Sequence, residues 1–224
     1  RFLANITRET GLKLEIIKPE EEARLAVISC APLVSAKTEQ LLVVDIGGGS
    51  TELVWIDISR VPKVERPRAL MRIKTGFIPD PTSPFPAARV VDWISVPLGV
   101  ATLRDQFNDV ESDAARFALM SWYFEEQLAE FSPYEAEQAR DGFQIIGTSG
   151  TVTTLAGVHL DLPRYDRRKV DGLWMNDDDI DRMMRKITGM RYEERVANPC
   201  IGKERADLVL AGCAIFEAIR QEWP

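Results

Sequence analysis

Apolar residues along this chain recur with two periods, about two and about 3.6 residues, and the switches between them mark strands and helices. Residues 12–17 (LKLEII) alternate apolar with charged positions as a half-buried strand does. Pro19 then opens a helix running through Glu20, Glu21, Glu22, Ala23, Arg24 and Leu25 toward Cys30, proline being tolerated at a first helical position. Two apolar runs, residues 41–45 and 52–57, read as strands joined by three glycines, and residues 91–96 (VDWISV) alternate as a third strand. A helix is expected from about residue 101, another over 114–130, a short buried strand over 143–146, and a helix opened by the small-residue turn 147–151. Asn176 caps an acidic first turn at Asp177, Asp178 and Asp179 for a helix over 180–187, and residues 204–220 form a mostly buried final helix. Strands in a hairpin run that then alternate with helices argue an α/β or mixed-sheet layer fold.

Between the second and third strands, residues 59–90 hold Pro62, Pro67, Pro79, Pro81, Pro84 and Pro86, which predicts an irregular excursion. The N-terminal residues Arg1, Phe2 and Leu3 start inside an amphipathic helix with no initiator Met, and the final helical pattern reaches Pro224 without a tail. The chain therefore reads as a piece of a longer protein.

Composition narrows the classes. With 224 residues, 45% hydrophobic and 28% charged, the chain is globular and has enough length for a sizeable core. Its net charge of -7 and pI near 5.0 give no whole-molecule attraction to nucleic acid or an anionic membrane, so a polyanion needs a local basic patch or a metal ion. Cys30, Cys200 and Cys213 are odd in number and set among apolar residues, the pattern of buried thiols in a reducing compartment, with the cytoplasm as the expected location. No apolar run approaches the roughly 18 residues of a membrane span.

The candidate chemistry sits in two glycine turns. In LLVVDIGGGSTELVWID, Gly47, Gly48, Gly49 and Ser50 lie between strands, where missing side chains permit positive φ and close approach of backbone N–H groups to phosphate oxygens. An ordinary hairpin turn explains glycines as well. Asp45 before the turn and Glu52 after it face the same mouth, where two carboxylates can hold Mg²⁺ or a metal-bound water. No Gly-Lys-Ser/Thr follows, so this is no Walker loop, and a strand follows instead of a helix, so it is no dinucleotide fingerprint. In FQIIGTSGTVTTLAG the amides of Ser149, Gly150 and Thr151 would lie at a helix N-terminus, a ready anion site. Two such loops suggest a ligand with more than one phosphate.

Together, VVDIGGGSTELV, IIGTSGTVTTLAG, the upstream EEARLA and PLGVATL resemble the exopolyphosphatase/guanosine pentaphosphate phosphatase (Ppx/GppA) family of the sugar kinase, Hsp70 and actin superfamily. The resemblance implies a ribonuclease-H-like mixed sheet flanked by helices, one lobe of an actin-like bilobal fold. Residues 1–224 match the second lobe, with the first absent from this chain. It further implies Mg²⁺-assisted removal of terminal phosphate from polyphosphate, or of the 5′ γ-phosphate from pppGpp. Residue by residue, Glu22 becomes the general base for the attacking water, with Glu20 and Glu21 left solvated; Asp45 and Glu52 become metal and water holders. Gly47, Gly48, Gly49, Ser50 and Thr51 become one phosphate cradle, Gly147, Ser149, Gly150 and Thr151 the other, and Arg205 a phosphate clamp, unless it forms an ordinary surface ion pair. The chain departs from the family at Val170-Asp171-Gly172, where Val-His-Gly is usual, and in its long Pro-rich excursion. The implied partners are polyphosphate or pppGpp and the missing first lobe, with neither duplex nucleic acid nor membrane, and a homodimer is left open.

Arg164, Arg167, Arg168 and Lys169 form a basic cluster that either guides a polyanion or is a solvated loop. His159 follows an apolar helix and reads as structural; Trp55, Trp93, Trp122 and Trp174 read as core or interface. Two other readings share these residues. One is an ATP-using actin-like kinase or chaperone, against which the Glu-Glu-Ala-Arg helix speaks; the other is a phosphate-binding lobe that turns nothing over alone.

Overall fold

Strand β1 (Gln40–Ile46) is the spine of the molecule, because its run of leucines and valines is apolar at consecutive positions and so buries both faces. The computed structural model of the chain describes residues 2–80, 82, 84, 86–131 and 142–223. β1 pairs antiparallel with β2 (Thr51–Asp57), and β2 antiparallel with β3 (Arg89–Val96). On its other side β1 pairs in parallel with β4 (Phe143–Thr148), giving a four-stranded mixed sheet of order β3-β2-β1-β4.

Ten helices accompany the sheet among the described residues: α1 (Phe2–Thr10), α2 (Pro19–Cys30), α3 (Arg66–Met71), α4 (Val100–Gln106), α5 (Asp113–Gln127), α6 (Ser149–His159), α7 (Arg167–Val170), α8 (Asp177–Thr188), α9 (Tyr192–Ala197) and α10 (Leu208–Glu222). Strand periodicity sorts the core into layers. Leu42, Val44, Ile46, Leu53 and Trp55 pack against α4, α5 and α10. Leu41, Val43, Val54 and Ile56 point the other way, onto Ala23, Ala26, Val27 and Cys30 of α2. A third cluster joins α6 and α8 to Val209 and Cys213 of α10. None of the helices of the described residues is long and apolar enough to cross a membrane.

Several expectations are corrected. Residues 12–17 form no strand: they have no ladder partner and are exposed, and alternation makes a strand only where a neighbouring strand takes up its hydrogen bonds. The Pro-rich excursion is partly ordered, because Pro67 sits in the first turn of α3, where its missing N–H costs nothing. The buried Arg66 ties that helix down by donating to Ala36 O at 2.7 Å and Val61 O at 3.2 Å. Pro81 and Pro224 lie outside the described residues. The last helix begins at Leu208, and residues 204–207 are turns; α7 and α9 were not anticipated. Trp55 stacks on Phe143 with centroids 4.9 Å apart, in the core as expected, whereas Trp122 and Trp174 are 57% and 65% exposed and so are not core residues.

Candidate phosphate-binding site

The glycine turn after β1 is held from behind by α4. Val100 N and Ala101 N donate to Gly47 O at 3.0 Å and Gly48 O at 2.9 Å, so the helix N-terminus is occupied by the turn's carbonyls. Thr102 Oγ1 completes the latch, accepting from Gly99 N at 2.8 Å, with its one hydrogen shared between Gly99 O at 3.1 Å and Gly49 O at 3.3 Å. Gly99 is there for space: a Cβ would lie 2.4 Å from Gly47 O and from the Gly48 carbonyl carbon. The turn glycines do not use positive φ as anticipated. Gly48 and Gly49 instead leave open space where a side chain would stand, which lets a ligand reach the backbone.

The left-handed residue is Ser149, with φ of 79°, at the start of α6. Non-glycine residues pay about 1–2 kcal/mol for this conformation, and such strain concentrates at functional sites. The first amides of α6 lack intrahelical acceptors, so this end of the helix keeps donors for a ligand. Gly47, Gly48, Ser149, Gly150, Thr151 and Arg205 all border one cavity of about 180 Å³. Arg205 Nη1 donates to Thr154 Oγ1 at 3.0 Å, and Arg205 forms no ion pair among the described residues, so the alternative of a surface ion pair does not hold there. Gly147 has its own packing role, since a Cβ would meet Val152 at 2.9 Å.

Beside the cavity stands a row of carboxylates, and sheet register explains it. Asp45 lies directly opposite Glu52, and Glu52 opposite Ser95. By alternation Asp45 shares a face with Val43, and Glu52 with Val54, the face covered by α2. Glu22 lies in the first turn of that helix. Burial pushes the Asp45 carboxyl above its ordinary range against a lowering hydrogen bond from Ser149, and the charge of Glu22 pushes it up further. Burial likewise raises Glu52, against hydrogen bonds from Ser50 and Ser95, with Glu22 and Asp45 adding to the rise. Glu52 is only 2% exposed, and Ser95 Oγ donates to its Oε1 at 2.9 Å.

The neighbouring acids separate by partner. Glu21, expected to be solvated, makes a two-pronged pair with Arg24 at 2.6 and 2.8 Å and accepts from Thr75 at 3.3 Å. Arg24 also donates to Ile73 O at 3.0 Å, which fastens α2 to the excursion. Glu22 is the exposed acid of the three and the one whose charge reaches Asp45 and Glu52. No cluster of three or more His, Cys, Asp or Glu side chains close enough to ligate a metal occurs among the described residues. The donor set still fits Mg²⁺, which typically takes one or two carboxylates and completes its shell with waters and substrate phosphate oxygens.

Some anticipated cradle residues are committed elsewhere. Thr51 is fully buried and its hydroxyl donates to Leu98 O at 2.8 Å; Thr151 Oγ1 donates to Ile46 O at 3.3 Å. Their side chains shape the loops; Thr51 is also paired in the sheet with Ile46 and Val96, and Thr151 alone of the two borders the cavity. Arg164, Arg167, Arg168 and Lys169 do not border the small cavity. Arg167 lines a larger groove of about 1000 Å³ along the outer edge of β4 that reaches Ser149 and Gly150. His159 borders neither cavity. All three cysteines are buried free thiols, and burial pushes Cys30 up to about 11 and Cys213 up to about 12. Sequence reasoning missed Thr154, Ser95 and Thr102, hydroxyl residues whose roles arise from contacts across 43 to 53 positions of sequence.

Known proteins share this architecture. The model of the Ppx/GppA phosphatase family matches residues 1–223. Exopolyphosphatase 1 of Mycobacterium bovis is 23% identical over 217 residues, covering 96% of this chain and 54% of that protein. The crystal structure of an Aquifex aeolicus Ppx/GppA family member superposes with a TM-score of 0.66 at 27% identity, covering 99% of this chain and 61% of the other. That of an exopolyphosphatase-like protein does so with a TM-score of 0.74 at 26% identity, covering 97% and 61%. The chain thus spans about half the length of the curated relatives it matches. Its mixed sheet flanked by helices is the ribonuclease-H-like arrangement of the actin-like fold. With the family model matched over residues 1–223 and the fold shared with its solved members, the chain belongs to the Ppx/GppA phosphatase family.

Proposed function

We propose that this chain is the second lobe of a phosphoanhydride hydrolase that removes terminal phosphate from inorganic polyphosphate or the 5′ γ-phosphate of pppGpp. The carrying observation is that two loops, Gly47–Gly48 and Ser149–Thr151, meet with Arg205 at one cavity, and that Ser149 joins it through a hydrogen bond to Asp45, whose charge and that of Glu22 reach Glu52. The loop amides and Arg205 bind and orient the phosphoryl oxygens. Asp45 and Glu52 would hold Mg²⁺, with its waters, against the phosphate. When bound, that ion offsets phosphate charge that the carboxylates would otherwise repel. Glu22 accepts a proton from the attacking water as its oxygen bonds to the terminal phosphorus and the bridging P–O bond breaks. Asp45 and Glu52 are raised chiefly by burial, with the charge of Glu22 adding to both and no basic partner among the causes, which suits a site that a cation would occupy.

A first lobe would close the other side of the cleft. The arm formed by α1 and residues 12–17 supports this: α1 buries none of its residues, and Leu12, Leu14, Ile16 and Ile17 are exposed.

Phosphate release from long-chain polyphosphate, pppGpp and ATP by the full-length protein carrying this chain tests the reading, with and without chelation of Mg²⁺. Release from the first or second substrate, abolished by chelation, is expected. Turnover of ATP alone would contradict it and favour a kinase or chaperone ATPase; no gain in rate from the added lobe would favour a non-catalytic phosphate-binding module.

A further inference from the structure

The geometry points to Thr154 as the positioning residue that aims Arg205 at the phosphate cavity, an inference that rests on the phosphate-binding reading of that site. Arg205 stands before α10, where its guanidinium forms no ion pair among the described residues. An arginine side chain loses about 2 kcal/mol of rotamer entropy when fixed, so holding one in place needs a partner. That partner is a neutral hydroxyl. Arg205 Nη1 donates to Thr154 Oγ1 at 3.0 Å, and Thr154 Oγ1 donates its single hydrogen to Gly150 O at 2.7 Å. The direction of both bonds is therefore fixed, because the threonine proton is committed and only a lone pair is left for the guanidinium.

Thr154 is 2% exposed, in the second turn of α6, so its hydroxyl does not swing into solvent. The guanidinium lies against the first turn of the same helix, where a Cβ on Gly150 would sit 3.9 Å from Arg205 Nη2. A cation next to the positive end of a helix dipole is unfavourable by itself and becomes favourable once an anion lies between them. A hydroxyl anchor suits this arrangement better than a carboxylate, since it orients the arginine without neutralising the charge meant for phosphate.

Titration of the chain with sodium tripolyphosphate in Mg²⁺, beside steady-state kinetics of the full-length protein, tests this. Thr154→Val keeps the shape and removes the oxygen; it should weaken tripolyphosphate binding roughly 3- to 10-fold, the worth of one net hydrogen bond, and raise KM with kcat little changed. Thr154→Ser, which keeps the oxygen, should restore binding, and in an Arg205→Ala background Thr154→Val should add no further loss. Equal weakening by Ser and Val, or an undiminished effect without Arg205, would overturn the positioning role in favour of a packing role. Wild-type binding unchanged by Thr154→Val would overturn it while leaving the phosphate site standing; no tripolyphosphate binding by the wild type would remove both.

Discussion

Single side chains in this protein are sorted by their partners more than by their type. Glu21 and Glu22 are adjacent in one helix turn, yet the first is taken by Arg24 and the second faces a pair of carboxylates. Asp113 shows the opposite electrostatic situation. Its burial would raise the carboxyl, but hydrogen bonds from Arg195 and Arg116 outweigh this and hold it below its ordinary range. The folded carboxylate thus gives up its proton at lower pH than the unfolded one. Its contribution is present above the ordinary carboxylate pKa of about 3.9 and is lost as pH falls through the folded value. Arg195 is buried and bonds Asp113 at 2.8 Å, so Asp113→Asn strands a buried cation and should cost about 3 kcal/mol at neutral pH. Thermal melts should show the gap between variant and wild type narrowing below about pH 4; a gap that stays constant with pH would contradict the ion-pair account.

Among the elements, the clearest cause and effect runs from Gly99 to the glycine turn. The N-terminus of α4 holds the carbonyls of Gly47 and Gly48, which turns that loop's backbone toward the cavity. Gly99→Ala forces a methyl into those carbonyls and should cost about 1–3 kcal/mol as over-packing, with a larger fall in tripolyphosphate affinity than in stability. Calorimetry and titration of the same variant check this, and unchanged affinity would separate α4 from the site. Much at this scale was legible in the sequence: Pro19 opens α2, the apolar run of β1 is buried, and Asn176 caps α8 by accepting from Asp179 N at 2.9 Å. These signals are local. The misses have no local signal: residues 12–17 need a neighbouring strand, and the left-handed backbone of Ser149 is one that a serine rarely adopts. For the site, the loops and their acids were legible as motifs. Their convergence with Arg205, and the hydroxyls of Thr154, Ser95 and Thr102 behind them, required the fold.

At the scale of the whole molecule, the cavity bordered by the two loops and Arg205 adjoins a row of acids on a mixed sheet, and the N-terminal arm is exposed. If a first lobe covers that arm, amides of residues 2–17 should exchange quickly in the isolated chain and slow by at least tenfold in the full-length protein, as ordered and buried backbone does. Equal exchange in both would leave the arm without a partner. Hydrolysis at this site turns on whether Glu22 activates the water. Single-turnover hydrolysis of polyphosphate by the full-length protein and its Glu22→Gln variant, with tripolyphosphate affinity measured alongside, tests it most directly. The chemical step should slow by about 10²–10⁴-fold with affinity nearly unchanged, the signature of a missing general base. Equal rates in the two proteins would contradict it.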